Sequence, residues 1–283
     1  MTIRRSATAG VTPGDAGWRY LSFRVVRLAP GETFAGGRDD EEVALVALGG
    51  RGRVEAEGER WELGERRSVF DGLPWTLYLP AGARYRVAAL GGAPRELAVC
   101  AARASERHPP RLIAPDEVEI EVRGAGNATR QISHVIKPEF PAHRLLVVEV
   151  LTPAGNWSSV PPHKHDEDRP PAEVVLEEVY YYRFDAPEGF GIQRLYTLDG
   201  ELDETETVRD GDLLLIPRGY HPFVAAHGYD AYYLNALAGD RRSMAASDDP
   251  AYAWMREAWA ELERDARVPL VTAAGRRATR IRP

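Results

Sequence analysis

Short apolar or alternating runs, cut again and again by Gly, Pro and Asp, constrain this chain more than any other feature. In the first half Leu21 to Leu28, Val43 to Leu48, Arg53 to Glu57, Arg60 to Leu63, Arg67 to Phe70, Thr76 to Leu79 and Arg84 to Ala89 read as strands. In the second half the same reading covers Glu117 to Arg123, Gln131 to Ile136, Leu145 to Thr152, Glu177 to Phe184 and Gly191 to Thr197. Thr205 to Arg209, Asp212 to Ile216, Phe223 to Ala225 and Ala231 to Ala236 continue it. Short runs between turn residues, with helical periodicity nearly absent, are what a sandwich or barrel requires. The expected fold class is all-β, in units of residues 1–110, 111–245 and 246–283.

A weak internal repeat supports the division. Glu41-Glu42-Val43-Ala44 followed by Leu79-Pro80-Ala81-Gly82-Ala83-Arg84-Tyr85 parallels Glu177-Glu178-Val179-Tyr180 followed by Ile216-Pro217-Arg218-Gly219-Tyr220-His221. The tail differs in kind. Ser247-Asp248-Asp249-Pro250 offers a helix start, and Ala251, Met255, Ala258, Trp259 and Leu262 keep helical spacing up to Pro269. A helix there should pack its apolar stripe on a barrel or a neighbouring subunit. Arg276, Arg277, Arg280 and Arg282 read as a solvated basic end.

Chemistry concentrates in Val160-Pro161-Pro162-His163-Lys164-His165-Asp166. On a strand His163 and His165 share one face while Lys164 points away. A carboxylate from Glu177-Glu178 on a second strand and His221, after a Gly-Asp turn and a buried strand, would complete a mixed nitrogen and oxygen metal shell. If Glu178 faces inward, Tyr180 and Tyr182 do too, whereas Tyr181 and Arg183 face outward or into a second layer. His134 and His143 are read as structural or surface residues, and His108 and His227 as surface.

His-x-His, then Glu, then Gly-x5-Pro-x-Gly-x-His resembles the two cupin motifs. The resemblance implies Glu178 rather than Glu177 as ligand, because six residues separate it from the turn position, Asp185. The gap from His165 to Glu178 is longer than in most cupins, and the second motif is one residue shorter before His221. The Asp166 to Glu173 insertion, Gln193-Arg194-Leu195-Tyr196-Thr197, Pro217 to Pro222 and Gly228-Tyr229-Asp230-Ala231-Tyr232-Tyr233-Leu234-Asn235 are similar to the 5-deoxy-glucuronate isomerase family of myo-inositol catabolism.

That resemblance implies a bicupin, two jelly-roll barrels of which only the second keeps metal ligands, because the first half has no His-x-His and has Arg84 or Tyr85 near the place of the last histidine. It implies one divalent transition metal (Zn, Mn, Fe or Ni) on His163, His165, Glu178 and His221, and conversion of 5-deoxy-D-glucuronate to 2-deoxy-5-keto-D-gluconate through an enediolate. Glu178, Tyr182 or a metal-bound hydroxide are the candidate bases. For the sugar-acid substrate, Arg194 is the first choice to hold the carboxylate, with Arg130 and Arg183 behind it. Gln193, Tyr180, Tyr232 and Asn235 are expected to line the pocket. A related 5-keto-4-deoxyuronate isomerase, a metal-dependent dioxygenase and a non-enzymatic sugar-binding cupin are the alternatives.

Composition narrows the partners. The chain has 283 residues, 44% of them hydrophobic, enough for a large core. Its formal charge of −7 argues against nucleic acid or an anionic membrane as a partner. No apolar stretch follows Arg4-Arg5, so a cytoplasmic location is expected. Cys100, the only cysteine, sits in an apolar strand and reads as core. Exposed strand edges suggest an even-numbered homo-oligomer.

Overall fold

The structure, a computed structural model, describes residues 3–277. Arg280 and Arg282 of the expected basic end lie outside the described residues. Nearly all regular structure is antiparallel strand. In the first barrel Leu21–Leu28, Arg95–Arg103, Glu41–Ala56, Thr76–Leu79 and Arg111–Ile113 pair in that order, with Thr33–Gly36, Glu59–Arg66 and Tyr85–Leu90 beside them. In the second, a seven-stranded sheet runs Arg4–Ser6, Asp212–Ile216, Glu177–Phe184, Ala231–Ala238, Leu145–Thr152, Arg130–Ile136, Glu119–Arg123. A four-stranded sheet of Trp157–Ser158, Phe223–Ala225, Phe190–Tyr196 and Asp203–Arg209 faces it.

The uniformly apolar runs have a physical reason. Leu145–Thr152 is buried along its whole length. Leu146, Val148 and Val150 fill the second barrel, while Leu145, Val147 and Leu151 belong to a third core between the barrels. Phe23, Val25, Ala44, Val46, Ala98 and Cys100 supply the facing side of that core. Strands covered on both faces have no polar side to alternate with. One ion pair is buried in the seam: Arg66 meets Glu149 at 2.7 Å with side chains 1% and 0% exposed, and Tyr232 donates its hydroxyl to the same carboxylate.

Several expectations need correction. Residues 4–6 join the second barrel, because Arg4–Ser6 pairs with Asp212–Ile216. Arg67 to Phe70 is turn and bend rather than strand, and Val43 to Glu57 is almost entirely one long bent strand. The expected short C-terminal helix is present as Trp254–Ala258, followed by a 3-10 turn at Trp259–Glu261, but its apolar stripe is not packed, since neither segment buries a residue. Trp254 and Leu262 of the region are 59% and 53% exposed. The tail is instead tied at both ends, by Ser247–Asp248 pairing with His163–Lys164 and by Gln131 accepting the Leu270 and Val271 N–H groups.

The internal repeat is also shifted by one residue. Val43 faces Leu79 in the first barrel as Glu178 faces Ile216 in the second, so Glu42 corresponds to Glu177 and a valine stands at the place of Glu178. A slip of one position exchanges the two faces of a strand.

Candidate metal centre and cavity

The first two histidines arrive on a segment held by the tail. His163–Lys164 pairs with Ser247–Asp248. Lys164 turns away from the cavity and binds Asp166, Glu167 and Glu173 at 2.6 to 2.9 Å. The third histidine follows a sharp turn at Gly219, where φ is +84° and a Cβ would meet the Tyr196 carbonyl oxygen at 2.5 Å, so only glycine fits. Asp166 accepts the Gly219 N–H at 2.7 Å and ties the two histidine-bearing segments together.

Inside the barrel His165 Nε2 lies 2.9 Å from Glu178 Oε2, and His221 Nε2 lies 3.4 Å from the same oxygen. The ligand atoms of His165, Glu178 and His221 all lie within 4.8 Å of one another, and all three residues are buried. His163 stands next to this group, its ring centroid 4.8 Å from that of His221. Glu177, the neighbour of Glu178, points the other way and accepts the Arg19, Tyr20 and Leu21 N–H groups.

All three imidazoles are oriented alike. The Nδ1 atoms of His163, His165 and His221 lie 3.2, 3.0 and 3.0 Å from the carbonyl oxygens of Pro161, Leu176 and Gly219. With Nδ1–H donated to each carbonyl, Nε2 keeps its lone pair for the cavity. His221 Nε2 is buried and has no hydrogen-bond partner. Burial, with His165 next in weight, pushes His163 down to about 3, and burial with His163 does the same to His221. Burial also works against protonation of His165, but the adjoining Glu178 carboxylate outweighs it and raises this imidazole. Two imidazoles held neutral, a third sharing a proton with the Glu178 carboxylate that a cation could replace, and the unpartnered His221 Nε2 are a donor set that fits a divalent transition ion.

His163, His165 and Glu178 line a cavity of about 170 Å³ whose walls also include Arg123, Arg130, Ser159, Tyr180, Tyr233 and Asn235. That volume is below the range typical of drug-sized ligands and suits a small polar molecule. The Ser159 hydroxyl lies 3.0 Å from that of Tyr180 and 3.5 Å from that of Tyr233. Burial pushes both phenols up, so they stay protonated as hydrogen-bond donors.

Five expected substrate or catalytic residues do not line this cavity. Arg194 lies on the outer face, pairs with Asp203 at 2.8 Å and stacks on Tyr196. Arg183 is engaged by Glu96 and Asp210. Tyr232 faces the seam between barrels and donates to Glu149. Tyr182 does point into the barrel, but below the cavity, where it donates to Gln193 Oε1 at 2.7 Å. Gln193 in turn donates to the carbonyls of His221 and Pro222, which places it behind His221. Glu178, Tyr180 and Asn235 do line the cavity.

Tyr233 and His134 were not chosen from sequence for these walls, and Arg130 only behind Arg194, yet each had a signal. Tyr233, not Tyr232, shares a strand face with Asn235; Arg130, Ile132 and His134 alternate on one strand. His134 lines the cavity while its Nε2 lies 3.0 Å from Glu121.

Residues 2–255 match the KduI/IolB family model. A 5-deoxy-glucuronate isomerase from Geobacillus kaustophilus is 46% identical over 249 residues, 87% of this chain and 90% of that one. One from Bacillus subtilis is 37% identical over 87% of this chain and 92% of its own length. The crystal structure of an IolB-like protein from Salmonella typhimurium superposes with a TM-score of 0.87 at 38% identity, covering 90% of this chain and all of that one. Oxalate decarboxylase from Lactobacillus farciminis, at 13% identity, has a TM-score of 0.63 over 88% of each chain. The fold is the all-β, two-barrel cupin architecture.

Proposed function

Because the chain belongs to the KduI/IolB family, we propose that it is the isomerase that its relatives are named for, converting 5-deoxy-D-glucuronate to 2-deoxy-5-keto-D-gluconate in the second barrel. The observation that supports this reading most is the buried His165, Glu178 and His221 group, whose His165 and Glu178 open onto a small cavity of mixed polar and apolar lining. We place His163 in the same ligand set, since its Nδ1 is fixed like the others and its ring adjoins His221.

The reaction moves a proton from C2 to C1 of an aldose while the carbonyl moves from C1 to C2. A divalent ion, when bound by these residues, supplies Lewis-acid stabilisation of the two oxygens, worth several kcal/mol. Glu178 is the one carboxylate among the residues lining the cavity, so its free oxygen is the group assigned to carry the proton. Tyr180 and Ser159 donate hydrogen bonds to substrate hydroxyls, and the apolar wall of Ile132, Val148 and Val150 excludes water. Among the described residues no helix is long and apolar enough to cross a membrane. A cytoplasmic homo-oligomer completes the proposal; the Glu119–Arg123 and Asp203–Arg209 edges, each paired on one side only, support the second part.

Turnover of 5-deoxy-D-glucuronate by purified protein, followed by appearance of the ketose, tests the reading. A protein loaded with metal that leaves this aldose unchanged would contradict it.

A further inference from the structure

Three arginines line the cavity, and two already hold carboxylates. Arg123 binds both oxygens of Glu121, and Arg256 binds both oxygens of Asp248. Arg130 is 3% exposed, and among the described residues no carboxylate lies within ion-pair distance of it. Its two terminal nitrogens donate only to backbone carbonyls, Nη1 to Ala128 at 3.0 Å and Nη2 to Val160 at 2.9 Å. A guanidinium has five N–H donors, so these bonds leave donors over. Trp259 lies over it, 5.5 Å from ring centroid to Cζ.

A buried, unneutralised guanidinium is costly; Arg95, also without an ion pair, is held by the Gly49 and Gly50 carbonyls away from the histidines, whereas Arg130 faces the same cavity as His163, His165 and Glu178. We propose that Arg130 binds the carboxylate of a sugar-acid substrate, so that the cavity has two ends, one for the anion and one, at His165, Glu178 and His221, for the reacting aldehyde. The inference rests on the isomerase reading above and adds what makes the site select an acid over a neutral sugar. Burial, the largest influence, pulls the Arg130 guanidinium down to about 10, so it remains charged at neutral pH. Its bond to the Val160 carbonyl also links it to the Val160 to His163 segment that delivers the first histidine.

The test compares two substrates in two proteins: 5-deoxy-D-glucuronate, and 5-deoxy-D-glucose, which has CH2OH in place of the carboxylate. In Arg130→Gln, kcat/KM for the uronate is expected to fall on the order of 100-fold, chiefly through KM, as for loss of a buried charge pair. The loss on the uronate should exceed any loss on the neutral sugar by at least about 10-fold. Metal content should equal that of the parent. Arg130→Lys should recover part of the uronate activity, because it keeps the charge without the planar fork. Equal losses on both substrates would overturn the proposal. Should the parent show no isomerase turnover, the proposed function fails and the anion site is judged by calorimetry with D-glucuronate. Binding present in the parent and lost in Arg130→Gln supports it; binding absent from the parent, or unchanged in the variant, contradicts it.

Discussion

Glu42 of the first barrel and Glu177 of the second are reciprocal: each reaches across the seam and accepts the N–H groups at the start of a strand in the other barrel. Glu42 takes those of His143, Arg144 and Leu145, with the Tyr78 hydroxyl besides. Glu177 takes those of Arg19, Tyr20 and Leu21. The two-fold relationship of the barrels is therefore written in a pair of carboxylates, and it leaves Glu178, the next residue, free to face the cavity.

Loss of either carboxylate should weaken the seam. Glu42 is fully buried, and Glu42→Ala would strand three backbone donors, at a cost of about 3–5 kcal/mol. The more exposed Glu177→Ala should cost less, about 1–3 kcal/mol. Denaturant midpoints measure both, and an unchanged midpoint for Glu42→Ala would contradict its role in joining the barrels.

Arg194→Ala should leave the enzyme almost untouched. Its pair with Asp203 is on the surface, so a stability change within about 0.5 kcal/mol and a kcat/KM change within about twofold are expected. A large rise in KM would place Arg194 at the substrate after all.

Strand parity carried the sequence reading a long way and then stopped. It separated Glu178, Tyr180 and Tyr182 from Tyr181 and Arg183, as the two cores confirm for the tyrosines. Parity does not give depth, however, and Tyr182 lies one repeat below the cavity, stacked under Tyr180 at 5.9 Å. The same rule, applied to Gln193 and Arg194, would have sent the arginine outward. Arg130 could not be singled out, because its meaning lies in a missing counter-ion, which only packing reveals. The tail helix was legible from the helical spacing of Ala251 to Leu262, but not its lack of packing: the segment is held by the Ser247–Asp248 pairing and the anchoring near Leu270 rather than by its apolar stripe.

Glu173 makes stability depend on acid pH. Burial pushes its carboxyl up, but Ser247, Lys164 and the Asp166 and Glu167 N–H groups outweigh this and bring it from 4.5 down to about 2. Its folded value is thus below the unfolded one, so the stabilisation is complete above about pH 5 and fades as the pH falls toward 2. On the order of 3 kcal/mol is at stake. In Glu173→Gln this part of the acid sensitivity should vanish from a pH series of unfolding midpoints; an unaltered pH profile would contradict the assignment.

Gln193 and Tyr182 should act through His221. Gln193→Leu removes the donor to the His221 carbonyl and is expected to lower kcat by about 10-fold or more with weaker metal retention. Tyr182→Phe loses one buried hydrogen bond, about 1 kcal/mol of stability, and should keep most of its turnover. A dead Tyr182→Phe enzyme with metal retained would restore the phenol as a catalytic group.

The most direct measurement is metal content and turnover of 5-deoxy-D-glucuronate on the same preparations of parent, His163→Ala and Glu178→Gln proteins. The parent is expected to carry about one equivalent of transition metal per chain and to isomerise the aldose, and both variants to lose metal and activity together. A folded, metal-free Glu178→Gln protein that turns over at the parental rate would contradict the assignment of this cavity as a metal-dependent isomerase site.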